Sequence, residues 1–179
     1  MVRLPCRELN HVGYRKAPEE TVEERRMPSA STSVVIRPAT EADREAVIDL
    51  LLAQLREHEI TIQTTEIAVA IEGVLDRPER GTLFTATISG IPIGVAYLSF
   101  TWTLEHGGKT AWLEELYVVP EHRNEGIGRA LLTAVCDHAV AQGCAAVDLE
   151  IDTAHRRAAH LYAQGFRPLD RTRWVRLLR

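Results

Sequence analysis

The chain has 179 residues, 45% of them apolar, and a formal net charge of −4, which suits one domain with a substantial core. The acidic balance argues against a nonspecific nucleic-acid binder, and the lack of any run near the roughly 18 apolar residues of a membrane span argues against a membrane protein. Its three cysteines show no CxxC spacing, so we expect reduced thiols in a cytoplasmic protein, with neither a disulfide nor a zinc site.

The first 33 residues lack sustained periodicity. They hold three prolines, a mixed-charge run at 19–26 and a Ser/Thr-rich run at 29–33, which together predict a mobile extension. No apolar stretch of roughly 7–15 residues follows the start, so a secretory signal is not expected. Residues 1–33 are therefore separated from a domain at 34–179. Met27 is a hypothetical alternative start, which an intact-mass measurement would test.

The domain begins with an apolar run at 34–37 that Pro38 closes. Thr40, with Asp43 three residues later, is typical of a helix start. Apolar residues at helical spacing predict helices at 41–57 and 66–75. The polar segment between them, residues 56–65, is open to two interpretations: a loop that faces the substrate, or solvated surface.

The rest of the domain alternates between strand and helix patterns. Apolar, β-branched segments with turn signals between them predict strands at 82–88, 91–103 and 109–119, an antiparallel meander. A helix at 126–142, a strand at 145–151, a helix at 153–164 and a strand at 174–178 follow. The order β-α-α-β-β-β-α-β-α-β predicts an α/β (α+β) fold in a single domain with a mixed central sheet.

A short charged loop joins the third meander strand to the longest helix. The first N–H groups of a helix lack partners in the chain and carry partial positive charge, which favours an anion. Gly126 and Gly128 lack the Cβ atoms that would keep a phosphate away, and Arg123 adds positive charge. The alternative is a plain turn with glycines at a helix start. Leu131 replaces the third glycine of a dinucleotide fingerprint, and Gly-Lys-Ser/Thr is absent, so two familiar nucleotide loops fit badly.

Two segments carry a family resemblance. Residues 113–132 contain Arg-x-x-Gly-x-Gly after a strand that ends in Val-Val-Pro, and residues 157–166 read Arg-Ala-Ala-His-Leu-Tyr before Gly-Phe. Together they resemble the GNAT superfamily of acyl-CoA-dependent N-acyltransferases over about residues 34–179, and its diamine and polyamine acetyltransferases in particular. The resemblance implies acetyl-CoA as the acyl-donor co-substrate, pantetheine amides paired with a strand backbone, and a pyrophosphate held by the loop. The strand residues are Leu116, Tyr117 and Val118, and the loop residues are Arg123, Asn124, Glu125, Gly126, Ile127, Gly128 and Arg129.

The chain departs from the family pattern at three places. His155 stands where the family often has an asparagine that contacts the cofactor. Tyr162, which matches the tyrosine beside the CoA sulfur, is one residue closer to Gly165 than usual. Asn124 and Glu125 replace a glycine and a basic residue, and we expect Glu125 to weaken phosphate binding unless its carboxylate points to solvent.

Acetyl transfer to an amine requires a base, because a lysine-like ammonium has a pKa of about 10.4. Glu114 and Glu115 are the candidates, and strand alternation turns them to opposite faces of the sheet. The resemblance favours Glu114, since polyamine-type enzymes carry Leu-Glu-Asp here; the alternative is that both are surface carboxylates. A backbone N–H near Val118 is the expected oxyanion donor. Tyr162 is the implied general acid, or else a core tyrosine.

These residues support two hypotheses of different classes. The first is an enzyme that transfers an acetyl or short acyl group from CoA to a primary amine of a small molecule or peptide by direct attack, since no cysteine lies in a nucleophile motif. The alternative is a catalytically silent CoA-binding sensor or interaction module. The seven histidines show no ligand spacing, so no metal is expected. No nucleic-acid or membrane partner is expected, and a homodimer formed through the last strand is left open.

Overall fold

The computed structural model describes residues 33–151, 156–163 and 165–178. The predicted extension, apart from Ser33, and the predicted cofactor residue His155 lie outside the described residues. Within them, no helix is both long and apolar enough to cross a membrane.

A mixed sheet forms the centre of the domain, as predicted. Its five strands lie in chain order; β1 to β4 pair antiparallel, and β5 pairs parallel with β4. The parallel pair follows from the long helix between β4 and β5, which carries the chain back across the sheet. The strands are β1 Val34–Pro38, β2 Gly81–Ile88, β3 Ile91–Thr103, β4 Gly108–Val118 and β5 Val147–Leu149.

Four α-helices accompany the sheet: α1 Arg44–Glu57, α2 Thr64–Leu75, α3 Ile127–Ala141 and α4 Arg156–Tyr162. The predicted start of α1 is present as a capping box, in which the Thr40 backbone N–H and hydroxyl both donate to Asp43 at 2.8 and 2.9 Å. Arg37 donates two further hydrogen bonds to the same carboxylate. This cluster fixes the path from β1 into α1 through the short 3-10 turn Glu41–Asp43.

The sheet separates two apolar layers. Successive strand residues point to opposite faces, so Val95 packs with α1 and α2, while Ala96 packs with α3. Tyr117 and Val118 on β4 divide in the same way. The domain therefore has helices on both faces, and α1 and α3 approach β4 from opposite sides.

The predicted last strand, residues 174–178, is wrong. Residues 166–178 form no strand, and the side chains of Trp174 and Leu178 are 89% and 90% exposed. β5 has only three residues, and no strand of the described part of the chain pairs with its free edge. Two ion pairs hold the segment instead, from Arg171 to Glu105 and from Arg173 to Glu150.

Candidate active site

A β-bulge on β4 shapes the candidate site. Opposite β3, Leu113 pairs with Leu98 and Glu115 pairs with Tyr97, so Glu114 is the extra residue. The parallel ladder with β5 ends at Leu113. Beyond the bulge, β4 therefore runs on beside α1 and α3 without a strand partner on its β5 side among the described residues.

Along this stretch, the backbone groups of β4 that face away from β3 have no strand partner among the described residues. The Val119 N–H donates to the Ile93 carbonyl at 3.0 Å, so these two residues form a hydrogen-bonded pair of the antiparallel ladder. Since such pairs alternate, the N–H and C=O groups of Leu116 and Val118 point away from β3. Those of Tyr117 point toward it. Two of the three predicted strand residues thus offer backbone groups to a ligand.

The loop after β4 leads into the first turn of α3. Asn124 and Gly126 both have left-handed backbone, with φ of 67° and 84°, which turns the chain sharply before the helix. Ile127 is buried in the core, so the first turn is anchored while its N–H groups have no intrahelical acceptor. Arg129 is exposed.

Gly128 lies where three elements meet. A Cβ atom built on it would lie 3.7 Å from side-chain atoms of both Leu116 on β4 and Leu161 on α4. The helix start, the unpaired stretch of β4 and the end of α4 therefore converge at one place. This convergence brings Tyr162 to the same region as the loop.

Arg123 does not extend freely from the loop. Its Nε donates to the Val118 carbonyl at 2.8 Å, and its Nη2 donates to both carboxylate oxygens of Glu57 at 2.9 and 2.8 Å. The Tyr117 hydroxyl donates to the same carboxylate at 2.8 Å. Burial raises the pKa of Glu57, but the hydrogen bonds from Arg123 and Tyr117 outweigh it, and the pKa is lowered. The end of α1 is thereby tied to the loop.

Glu125 pairs within the loop. Its Oε2 lies 3.1 Å from His122 Nδ1, and its side chain is 52% exposed. The carboxylate is thus held by a neighbour on the same turn.

Tyr162 ends α4 and is partly buried. Its ring contacts Phe166 edge-on at 5.8 Å, and its carbonyl accepts hydrogen bonds from the Gly165 and Phe166 N–H groups. Burial, together with the charge of Glu115, raises the pKa of the Tyr162 hydroxyl to about 12. The phenol is therefore neutral at pH 7 and lies within electrostatic reach of Glu115.

The two adjacent glutamates have different environments. Glu114, at the bulge, is exposed and accepts a hydrogen bond from the Ser99 hydroxyl at 2.8 Å. Glu115 points toward α1, where Gln54 Nε2 donates to it. Burial raises the pKa of Glu115, the Gln54 hydrogen bond opposes that rise, and Glu114 adds to it. The preference for Glu114 as the base stays a prediction.

Gln54 and the contact of Glu57 with Arg123 were not found from the sequence. Gln54 lies seven residues after Val47 and three after Leu51, so it falls on the apolar stripe of α1. A polar residue at that spacing was the available signal. Glu57 and Arg123 are 66 residues apart, and no local pattern links them.

Metal ligation has no support in the described part of the chain. Within residues 33–151, 156–163 and 165–178, no group of three His, Cys, Asp or Glu side chains is arranged to hold a metal ion.

Known proteins share this fold and these motifs. The model of the Acetyltransferase (GNAT) family matches residues 44–166. The thialysine N-epsilon-acetyltransferase of Bos taurus is 28% identical over 141 residues, covering 72% of this chain and 81% of that protein. The aminoglycoside N(6')-acetyltransferase type 1 of Klebsiella aerogenes is 30% identical over 149 residues, covering 81% and 97%. A solved aminoglycoside N-acetyltransferase in complex with CoA superposes with a TM-score of 0.73 at 20% identity, covering 85% of this chain and 99% of that one.

The chain belongs to the GNAT family of acetyltransferases. It is an acetyl-CoA-dependent N-acetyltransferase, and the predictions of fold class, enzyme class and co-substrate are confirmed. No finding favours the alternative of a silent CoA-binding sensor.

Proposed function

We propose that the enzyme acetylates a primary amine of a small cationic acceptor by direct attack on acetyl-CoA, with Glu115 as the base. The observation that carries this proposal is the meeting of β4, the start of α3 and the end of α4 around Gly128, together with the effect of the Glu115 charge on the Tyr162 hydroxyl. In the reaction, the acceptor ammonium gives a proton to Glu115 and its nitrogen bonds to the acetyl carbon. As the C–S bond breaks, the nitrogen loses its second proton and CoA leaves as the thiolate.

Glu115 suits the role of base better than Glu114. A base works best when its pKa is near the working pH, and burial moves the pKa of Glu115 in that direction. Glu114 is exposed and accepts a hydrogen bond from Ser99, so it lacks the burial that Glu115 has. Glu115 takes the ammonium proton, directly or through one water.

The Val118 N–H is the proposed donor to the oxyanion. It points away from β3, and donors aimed at developing negative charge typically contribute a few kcal/mol to the rate. The Val118 carbonyl is already held by Arg123 Nε at 2.8 Å, which fixes the orientation of this peptide unit. Leu116, two residues earlier, offers the next outward groups to the pantetheine amides.

Tyr162 acts as a hydrogen-bond donor to the leaving sulfur. Its pKa of about 12 lies roughly 3.5 units above that of a thiol near 8.5, so complete proton transfer to the thiolate costs about 5 kcal/mol. A donated hydrogen bond stabilises the developing thiolate without that cost. One of the two protons that the nitrogen loses neutralises the CoA thiolate, and the other is released to solvent.

Direct attack agrees with the state of the thiols. Burial raises the pKa of both Cys136 and Cys144, so neither is a thiolate at neutral pH, and the thiolate is the nucleophilic form of cysteine.

A cationic acceptor agrees with the charges near the unpaired stretch of β4. Glu114 and Glu115 lie on β4, and neither forms an ion pair among the described residues, whereas Glu57 at the end of α1 is paired with Arg123. Arg171 and Arg173, which an acidic group on the substrate would need, already pair with Glu105 and Glu150. The two relatives described above are named for thialysine and for aminoglycosides, both of which carry amines.

Paired glutamine variants test the assignment. Transfer of labelled acetyl from acetyl-CoA is measured for polyamines, aminoglycosides and free lysine. We expect Glu115→Gln to lower kcat about 100-fold or more, and Glu114→Gln to lower it less than about threefold. Equal losses in both variants, or a larger loss for Glu114→Gln, would contradict the choice of Glu115. Turnover of none of these amines would contradict the cationic acceptor.

A further inference from the structure

A buried amide lies beside the proposed base. Gln54 on α1 is only 6% exposed, and its neighbours Leu50 and Leu51 belong to the apolar core. Its Nε2 donates to Glu115 Oε2 at 2.5 Å. Buried polar side chains are rarely tolerated without hydrogen-bonding partners, so the presence of an amide on this face requires a physical reason.

The other end of the same amide is unsatisfied. Gln54 Oε1 is buried and has no hydrogen-bond partner among the described residues. A carboxylate only accepts hydrogen bonds, whereas a carboxylic acid also donates one; an amide offers a nitrogen that donates and an oxygen that accepts. In the observed arrangement the nitrogen faces the carboxylate. A half turn of the amide about its last side-chain bond would bring the oxygen to that position.

We propose that Gln54 is a positioning residue that pairs with Glu115 in both of its protonation states during acetyl transfer. Before the reaction, the amide N–H holds the Glu115 carboxylate. After Glu115 has taken the proton from the acceptor nitrogen, the amide turns and its oxygen accepts a hydrogen bond from the new carboxyl O–H. The proton then leaves Glu115 to balance the charge of the departing CoA thiolate. This inference rests on the proposed function of Glu115 as the base.

The ionisable groups around Glu115 are few in the described part of the chain. Glu114 precedes it on β4, Tyr97 pairs with it from β3, and Tyr162 approaches from α4. Burial raises the pKa of both tyrosines, so they are neutral at pH 7. Among the described residues, Glu114 is the charged group that raises the pKa of Glu115, and Gln54 is the donor that favours its ionised form.

The test removes the polar atoms of Gln54 and keeps its length. Gln54→Met is compared with wild type in kcat and kcat/KM from pH 5 to 9, and in CoA affinity by calorimetry. Loss of a hydrogen bond to a charged carboxylate should move the acidic limb of the kcat profile upward by about one pH unit. At pH values on the acidic limb, kcat should therefore be about tenfold lower than in wild type. The Kd for CoA should stay within about twofold of the wild-type value.

Two further variants complete the test. Gln54→Glu places two carboxyl groups together, so the acidic limb should move further upward, because like charges resist joint ionisation. This variant also keeps the inference testable if Gln54→Met fails to fold. Thr85→Val is the matched control, since it removes a buried hydroxyl that has no partner among the described residues, and its profile should match wild type.

The outcomes separate this inference from the proposal on which it rests. A Gln54→Met profile with the wild-type acidic limb, while Glu115→Gln is inactive, would overturn the role of Gln54 alone. Full turnover by Glu115→Gln would overturn the base assignment itself. A shifted limb in Gln54→Met with unchanged CoA affinity would support the role of Gln54, because a merely structural role would not move the pH dependence selectively.

Discussion

Removing the charge of Glu57 should tighten the binding of CoA. Arg123 Nη2 now donates to both oxygens of Glu57 at 2.9 and 2.8 Å, whereas the family resemblance assigns Arg123 to the pyrophosphate. If Arg123 turns to the pyrophosphate, that ion pair must break. Glu57→Gln retains an oxygen for the Tyr117 hydroxyl and removes only the charge.

The magnitude follows from the exposure of the pair. The side chains of Arg123 and Glu57 are 29% and 40% exposed, and ion pairs so accessible to water contribute at most about 1 kcal/mol. Since about 1.4 kcal/mol is a tenfold change in affinity, we expect the Kd for CoA to fall about fivefold. The effect should shrink with added salt, because the pair is screened.

Calorimetry with two ligands provides the measurement. CoA and pantetheine, which lacks the pyrophosphate, are titrated into wild type and Glu57→Gln, and only CoA should gain affinity. Glu59→Gln removes the same charge from a nearby residue that forms no ion pair in the part of the chain that the structure describes. Unchanged or weakened CoA binding in Glu57→Gln would refute the reasoning and would leave Arg123 as a support for Val118 and α1.

The other predictions concern three single residues. Tyr162→Phe should lower kcat about 10- to 100-fold with unchanged CoA affinity, because it removes one donor to the thiolate; full turnover would show that the hydroxyl takes no part. Glu125→Gly should change the Kd for CoA less than about twofold, since the carboxylate pairs with His122, and a tenfold tightening would mean that it faces the phosphates. Asp43→Asn should cost about 2 kcal/mol of unfolding free energy at pH 7. Because Arg37 holds the pKa of Asp43 below its usual range, this contribution is present above pH 4 and is lost as the pH falls; urea unfolding at pH 7 and pH 3 should show the cost shrink.

Most helices and strands of the domain could be predicted from the sequence because local periodicity and capping residues determine them. The predicted strand at 91–103 matches β3 to the residue, and the cap formed by Thr40 and Asp43 is present. Gly143, which follows the helix predicted at 126–142, has a φ of 72°, the left-handed conformation that glycine adopts without strain. These features depend on neighbours within a few residues.

The candidate site was harder to predict from the sequence because its geometry depends on contacts between elements that are distant in the chain. The register of β4 against β3 places the bulge at Glu114, and two adjacent glutamates in the sequence give no sign of which one is extra. Glu115 accepts its hydrogen bond from Gln54, which is 61 residues away in the chain. Strand propensity at 174–178 also misled, because a strand requires a neighbouring edge as well as β-forming residues.

The bulge at Glu114 has a consequence for stabilising this enzyme. The ladder between β4 and β5 ends where Leu113 pairs with Leu149, the last residue of β5, and the bulge follows immediately on β4. Without the extra residue, a regular β4 would let residues 150–151, which follow β5, extend the ladder along β4 and occupy the outward backbone groups that the ligand needs. Deletion of Glu114 is therefore a change that selection for thermal stability would favour and selection for turnover would reject, a local case of the trade-off between stability and activity. Engineering for heat resistance should leave this strand unaltered and act on the surface of α1 and α2 instead.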